Sequence, residues 1–357
     1  MRAPSWPGRE GAQVGAILAA LVALAAVWLA LDRRPPEWDH ANHLERAVIC
    51  AQDLARGDLH AVLERSSFYP PLVLCAAGLV YRLAPSDVAA AQAVVLAFLA
   101  LGVGAVYVLA RGLGGATAGV VAALVFATAP FVVFASLHFQ LDLPLASMVA
   151  LILIVLLRIE AFEHRGWSVA AGIVLGLGML TKPSFAVYVL APLALAAARI
   201  RSRRAVTNLI LALLIGGALS LPWYGPRAFS LVPEITSRSF RQAAESGHPD
   251  PLTAGALTLY PRWFPTQFGF VAGLLVLLGL GVAARRRHWL LLAALLPALT
   301  LLELLQNKNL RYTLPLLPVA AVLAGLGFGA LPGRLKAGAG GLLLVAGGMQ
   351  VDRKSVV

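Results

Sequence analysis

Five charged residues stand at the ends of apolar or helix-forming stretches, where they could do chemistry. Asp39 and Asp142 each lie just before such a stretch, whereas Lys182, Lys308 and Arg311 lie in short polar turns between apolar stretches. A carboxylate held at the surface of a membrane is a candidate functional group. Lysine and arginine can bind an anion. These residue types therefore suit a site at the membrane surface that binds an anionic group.

Each of these residues also has a simpler explanation. Asp39, beside the interfacial aromatic Trp38, and Asp142 both suit the capping of a following helix. The basic residues could form an ion pair with Glu303 or reach the phosphates of lipids. Basic residues are, however, disfavoured in short loops on the outer side of a membrane, so a bound anion is a suitable partner for them.

His40 and His43 are three residues apart in the segment that contains Asp39. With Asp39 they could bind a metal, and a divalent cation such as Mg²⁺ or Mn²⁺ held by Asp39 and Asp142 is the cofactor to consider. A pair of histidines in a loop is weak evidence for a metal site, so we do not favour metal binding by these histidines, and a cation held by the two carboxylates stays open. No glycine-rich phosphate loop, nucleophile elbow or zinc spacing occurs, which excludes many classes of soluble enzyme.

The elements that position these residues are membrane helices. Of 357 residues, 59% are hydrophobic and only 13% charged, too few charges for the surface of a soluble protein of this size. The composition predicts an all-α, polytopic transmembrane bundle of about eleven spans. Long apolar blocks occupy 14–31, 88–110, 112–137, 205–226, 263–284 and 312–333, and shorter ones 143–157, 166–181, 183–198, 289–302 and 337–351.

A further apolar block at 66–81 opens with Pro70 and Pro71 and is short, so we assign it to the interface. Every short basic loop then falls on one side, which predicts a multi-pass protein of the bacterial inner membrane. The N-terminus is predicted to be cytoplasmic, and the first apolar block, which follows Arg2 and Arg9, is predicted to be a retained signal anchor. The net charge of +12 is therefore a topology signal, and no surface suited to nucleic acid is expected.

The long outside segment 32–87 is predicted to contain structure. Residues 41–56 have apolar side chains at a helical period, which predicts an amphipathic helix lying on the membrane surface. Cys50 and Cys75 both fall in this segment and would face an oxidising compartment. A disulfide is one option, but we favour buried thiols because a bundle of this size needs no cross-link.

The C-terminus departs from this pattern. Residues 352–357, Asp-Arg-Lys-Ser-Val-Val, correspond to a translated sequencing-adapter sequence and directly follow an apolar helix. We expect residues 1–351 to form one transmembrane domain that is truncated at its C-terminus, and residues 352–357 to be an artefact.

The order of these features resembles membrane glycosyltransferases of the GT-C type, in the superfamily of the dolichyl-phosphate-mannose-protein mannosyltransferases and the aminoarabinose transferases. The resemblance extends from the first helix to about Gly333. Its motifs are Trp-Asp-His-Ala-Asn-His-Leu at 38–44, Tyr-Pro-Pro-Leu at 69–72, Leu-Asp-Leu-Pro-Leu-Ala at 141–146, Gly-Met-Leu-Thr-Lys-Pro at 178–183 and Arg-Tyr-Thr-Leu-Pro-Leu-Leu-Pro at 311–318.

The resemblance implies transfer of a sugar from a polyprenyl-phosphate donor to a lipid, glycan or protein acceptor at the periplasmic face, with inversion. Asp39 would be the catalytic base, and Asp142 would orient the acceptor or help hold a metal. The side chains expected to contact substrate are Lys182, Arg311, Lys308, His40, His43, Tyr69 and His138.

The main alternative is a transporter or flippase for a lipid-linked or small polar substrate. Such proteins usually carry ionisable groups near the middle of the bilayer and often contain repeats. Here the spans are nearly free of charge to mid-depth and no repeat is visible, which favours an enzyme that works at one surface. A non-catalytic membrane scaffold would leave the outward-facing basic residues unexplained.

Overall fold

This computed structural model describes residues 8–32, 34–66 and 68–351, with side chains described as far as residue 345. Arg2 and the predicted artefact at 352–357 lie outside these residues. The described chain is helical throughout, as predicted, and contains no strand. The all-α fold is therefore confirmed.

The helices follow one another with short connections. The first group is α1 (Arg9–Leu31), α2 (Trp38–Arg56), α3 (Leu59–Glu64), α4 (Leu72–Val80), α5 (Val88–Gly114), α6 (Ala116–Thr128) and α7 (Pro130–Ser136). The second is α8 (Asp142–Arg158), α9 (Arg165–Thr181), α10 (Phe185–Ala197), α11 (Arg203–Tyr224) and α12 (Leu231–Glu245). The last is α13 (Ala254–Leu257), α14 (Leu259–Phe268), α15 (Phe270–Arg285), α16 (Trp289–Leu304), α17 (Leu317–Ala330) and α18 (Gly333–Val351), with 3₁₀ helices at Gly225–Arg227 and Leu310–Leu316.

In the described part of the chain, four helical segments are long and apolar enough to cross a membrane, or up to six if each bent pair counts as one span. The four are Arg9–Leu31, Val88–Gly114, Arg203–Arg227 and Leu310–Ala330. Shorter apolar helices, α9, α10 and α16, pack among them. A multi-pass helical membrane protein is thus supported, and the number of about eleven spans stays a prediction.

Two apolar blocks are not the continuous helices that the sequence predicts. The block 112–137 breaks between α6 and α7, which bend by 61°, because Pro130 lacks an amide hydrogen and its ring blocks a continuous helix. The block 263–284 breaks at Gly269, whose φ of 78° is left-handed, and the helices on either side bend by 116°. The residues before Gly269 therefore belong to the separate helix α14.

The segment 32–87 folds largely as predicted. The amphipathic helix begins at Trp38, three residues earlier than expected, and ends at Arg56. The block 66–81 contributes α4, which has 9 residues and at 1.5 Å per residue is too short to span a bilayer. This length agrees with its assignment to the interface.

The expectation of buried thiols at Cys50 and Cys75 is wrong. The two residues form a disulfide with their Cα atoms 5.4 Å apart, and it joins α2 to α4. The helices approach closely because Gly78 of α4 lies against the α2 backbone, where a Cβ would come within 3.0 Å of the carbonyl oxygen of Ala47 and the amide of Ala51. The sequence placed both cysteines on one side, but it did not reveal this contact.

The bundle is held together by close approaches of helix backbones at glycines. α15 packs along α17, α17 along α6, and α9 along α11. At the first of these contacts Gly279 faces the backbone of Leu323, and a Cβ on Gly279 would overlap the Leu323 carbonyl oxygen. Small residues at such contacts are the usual means of bringing membrane helices together.

We therefore expect Gly279→Ala to destabilise the protein, by roughly 1–3 kcal/mol or more, because the overlap with backbone forces α15 away from α17. Gly281→Ala is the matched control, since a Cβ there meets nothing within 4 Å. Thermal unfolding of both variants in the same detergent measures the difference. Equal melting temperatures for the two variants would contradict this packing.

Candidate active site

The N-terminus of α2 places Asp39 opposite Arg311. An Asp39 carboxylate oxygen accepts a hydrogen bond from the Arg311 guanidinium at 2.5 Å, and both side chains are about one-third exposed. The residue at the cap position is Glu37, and its side chain makes no capping bond. Next to Asp39, Trp38 has a left-handed φ of 48°, which is unfavourable for a large side chain. The Asp39 carboxylate thus serves an ion pair and does not cap the helix.

A second ion pair joins α8 to the end of α9. The Lys182 ammonium donates to Asp142 at 2.6 Å, and the two side chains are 17% and 5% exposed. Lys182 is the residue after the last turn of α9, and Asp142 is the first residue of α8. In this position Asp142 makes its contact with Lys182, not with the backbone of its own helix.

The two ion pairs form one cluster of charges. Burial opposes ionisation of Asp39, but the Arg311 hydrogen bond and the charges of Arg311 and Lys182 outweigh it and lower the Asp39 pKa. Burial raises the pKa of Tyr69, and the charges of both Asp39 and Asp142 raise it further. Lys182, which is bound to Asp142, thus acts on Asp39, and the charge of Asp142 acts on Arg311, which is bound to Asp39. The structure thus brings together four charged residues that the sequence singles out one by one.

The three predicted histidines lie beside this cluster of charges. His43 is 3% exposed, and its Nδ1 lies 3.3 Å from the carbonyl oxygen of Phe139 while its ring meets Tyr69 edge-on at 4.8 Å. The rings of His40 and His138 are 5.8 Å apart. Since a carbonyl oxygen only accepts, this contact implies that His43 carries its proton on Nδ1.

Burial lowers the pKa of His40 and of His43 to about 4 each. For His40 the neighbouring histidines add to the effect, whereas for His43 the charge of Asp39 opposes it. Both rings are therefore neutral near pH 7. Neutral imidazoles beside these two ion pairs can hydrogen-bond a sugar or acceptor without adding charge.

The residues present do not fit a divalent cation. In the described part of the chain no group of three or more His, Cys, Asp or Glu side chains is arranged to hold a metal. Asp39 and Asp142, the carboxylates considered for this role, are each bound to a cation of the protein. Mg²⁺ and Mn²⁺ prefer several oxygen ligands in a regular geometry, so we derive no step through a metal.

Lys308 lies apart from this cluster. Its ammonium is buried and donates to the backbone carbonyl oxygens of Leu302 and Glu303, and it lies 3.6 Å from the Glu303 carboxylate. Because the ammonium is bound to these protein acceptors, it does not suit the predicted contact with a substrate. The placement matches the alternative that the sequence also allowed, an ion pair with Glu303.

Arg238 is near the cluster, although the sequence motifs do not single it out. It lies on α12 with its guanidinium 4.5 Å from the centre of the Phe68 ring, and its charge acts on neighbouring Tyr69. The signal that could have found it is the amphipathic pattern of residues 231–245, which predicts an outside helix with a polar face. Arg238 is paired with Glu234 at 2.7 Å on the same helix.

Residues 69–225 match the family model of the dolichyl-phosphate-mannose-protein mannosyltransferases. ArnT from Cupriavidus metallidurans, in the state bound to undecaprenyl phosphate, superposes with a TM-score of 0.68 and 21% identity over 94% of this chain. The chain has the GT-C fold. The apo state of ArnT gives a TM-score of 0.66 with 20% identity over 93% of this chain.

The oligosaccharyltransferase of Archaeoglobus fulgidus, in complex with zinc and sulfate, is also similar, with a TM-score of 0.59 and 15% identity over 94% of this chain and 52% of its own. The resemblance predicted from the sequence motifs is thus confirmed. This chain spans 62% of the length of ArnT. Among curated protein sequences, none matches it significantly.

Proposed function

We propose that this GT-C protein transfers a sugar from a polyprenyl-phosphate donor to an acceptor hydroxyl at the outer face of the bacterial inner membrane. The observation that carries the proposal is the cluster of Asp39, Asp142, Lys182 and Arg311. It offers two cations for a phosphate and a carboxylate for a proton. The related fold of ArnT, whose structure was solved with undecaprenyl phosphate, supports a lipid-phosphate donor.

In this reaction the acceptor oxygen attacks the anomeric carbon from the face opposite the lipid phosphate. A bond forms between that oxygen and the carbon, the bond from the carbon to the phosphate oxygen breaks, and its electron pair stays on the phosphate. Asp39 takes the proton of the acceptor hydroxyl. Configuration at the anomeric carbon is inverted.

Lys182 and Arg311 stabilise the charge on the departing phosphate. Lys182 is bound to Asp142 and Arg311 to Asp39, so the donor phosphate has to compete with these carboxylates. The donor phosphodiester carries one negative charge and has two free oxygens, so it can accept hydrogen bonds from both cations. Both contacts strengthen as the second negative charge develops on the departing phosphate. Release of Arg311 from Asp39 also raises the pKa of that carboxylate, so Asp39 becomes a better base once the donor is bound.

Asp142, at the start of α8, orients the acceptor and keeps Lys182 in place. His40, His43, His138 and Tyr69 surround the same charges and are the groups we assign to binding of the sugar and acceptor.

Two observations support the outer face as the site of reaction. The Cys50–Cys75 disulfide lies in α2 and α4, close in sequence to Asp39, and disulfides persist in oxidising compartments such as the periplasm. The arginine-rich segment 199–204 joins α10 to α11, and short basic loops of this kind stay cytoplasmic. Lys182 lies before the opposite end of α10, which suits the outer side.

The charged cluster lies where helices begin and end, not at their centres. Asp39 and Asp142 stand in the first turns of α2 and α8, and Lys182 follows the last turn of α9. A transporter would be expected to carry such groups near the bilayer midplane. This placement favours an enzyme over the transporter or flippase.

The test is to incubate the purified protein with a panel of labelled polyprenyl-phosphate sugars and candidate acceptors and to follow release of the lipid phosphate. We expect release of the lipid phosphate with at least one sugar. The same sugar should not be transferred when it is supplied as a nucleotide sugar. In sealed vesicles, movement of the labelled lipid between leaflets with its sugar still attached would instead identify a flippase.

A further inference from the structure

Lys308 is a buried cation that the proposed transfer reaction does not use. It is 1% exposed, and its ammonium lies 5.5 Å from the centre of the Tyr260 ring. It donates to the carbonyl oxygens of Leu302 and Glu303 in the last turn of α16. These carbonyls belong to the turn where a helix lacks further amide partners and where its dipole is negative. Lys308 therefore caps the C-terminus of α16.

The turn that follows α16 is fixed from several directions. The Lys308 backbone amide donates to Nδ1 of His248 at 3.2 Å. The buried Asn307 side chain donates to Gln242 of α12 and to the Tyr312 hydroxyl, both at 3.0 Å. A solvated loop would not need these contacts, so the conformation of this turn is closely specified.

The same turn sets the backbone of Arg311. The Asn309 side-chain oxygen accepts the Arg311 amide at 3.0 Å, and the Asn309 carbonyl accepts the Tyr260 hydroxyl at 3.3 Å. Only two residues separate Lys308 from Arg311, and the Arg311 guanidinium donates a hydrogen bond to Asp39. A shift of the turn would move the guanidinium away from the phosphate that we place there.

Burial of an ammonium is unfavourable unless its hydrogen bonds are made. Here Lys308 makes them with backbone, and the Glu303 carboxylate supplies the opposing charge at 3.6 Å. The lysine is therefore committed to the turn and does not face substrate.

We propose that Lys308 is a positioning residue that aims Arg311 at the donor phosphate by capping α16 and fixing residues 305–309. This role rests on the proposed glycosyl transfer and adds to it a residue that acts only through Arg311. It accounts for a basic residue in an outer turn that contacts neither donor nor acceptor.

A double-mutant cycle tests the role. Lys308→Met removes the charge and keeps an apolar stem, and we expect it to lower kcat/KM for the donor on the order of 10- to 100-fold, because small displacements of a charge-stabilising group are costly. In an Arg311→Met background the same change should cause no further loss, because Lys308 acts through that arginine. Lys336→Met, near the start of α18, is the control and should leave kcat/KM unchanged.

An equal fold-loss from Lys308→Met in both backgrounds would overturn the proposal, since Lys308 would then act independently of Arg311. If Lys308→Met does not accumulate as folded protein, Lys308→Gln gives the same test, because it removes the charge that caps α16 and keeps a hydrogen-bond donor. Absence of transfer by the wild type overturns the proposed function itself and this role with it. Transfer that responds to Arg311→Met but shows additive losses overturns the positioning role alone.

Discussion

Asp39→Asn is expected to lower sugar transfer by about 10²–10⁴, the usual contribution of a general base. The amide has nearly the shape of the carboxylate and can still hydrogen-bond Arg311, but it cannot take the proton of the acceptor hydroxyl. The protein should insert and fold normally, since the Asp39–Arg311 pair is about one-third exposed and such pairs contribute little to stability. Initial rates of lipid-phosphate release measure the effect.

Asp58→Asn is the matched control for this substitution. Asp58 caps α3 by accepting the amide of Ala61 at 2.9 Å, and asparagine is an equally good capping residue. Rates and melting temperature should both be unchanged in this variant. Undiminished transfer by Asp39→Asn would remove Asp39 from the mechanism.

Lys182→Met is expected to have two effects that can be separated. Transfer should fall by about 10²–10³, because one of the two cations that stabilise the leaving phosphate is lost. Stability should fall by roughly 3–5 kcal/mol, because Asp142 is left as an unpaired, buried carboxylate. Its side chain is only 5% exposed, so water cannot replace the lysine.

The double variant Lys182→Met with Asp142→Asn separates these effects. Removing both charges avoids the unpaired carboxylate, so most of the lost stability should return. Transfer should stay low, because no cation is restored. Recovery of both the melting temperature and the transfer rate would show that the Asp142–Lys182 pair has a structural role only.

Much of the charged cluster could be predicted because its members are polar residues at the ends of apolar helices. The four members stand out in a chain with so few charges, and the topology predicted from the basic loops puts their helix ends on one side; they are Asp39, Asp142, Lys182 and Arg311. Burial of an unpaired charge is unfavourable, so opposite charges at the same boundary tend to meet. Which carboxylate pairs with which cation depends on how the helices pack, and the sequence does not contain that information directly.

Other features depend on tertiary contacts that no local pattern reports. The Cys50–Cys75 disulfide requires that Gly78 bring α4 close to α2, and Lys308 turns inward because the end of α16 offers it carbonyl oxygens. The break at Gly269 was also missed. A glycine is compatible with a continuous apolar helix, and its left-handed conformation is seen only in the structure.

The central claim is that one cluster of two carboxylates and two cations binds the lipid phosphate of the donor. The most direct test is a structure of the protein with polyprenyl phosphate bound. The account predicts phosphate oxygens at roughly 2.7–2.9 Å from the Lys182 ammonium and the Arg311 guanidinium, with the Asp39–Arg311 hydrogen bond broken. A lipid phosphate bound elsewhere, with both ion pairs intact, would contradict it.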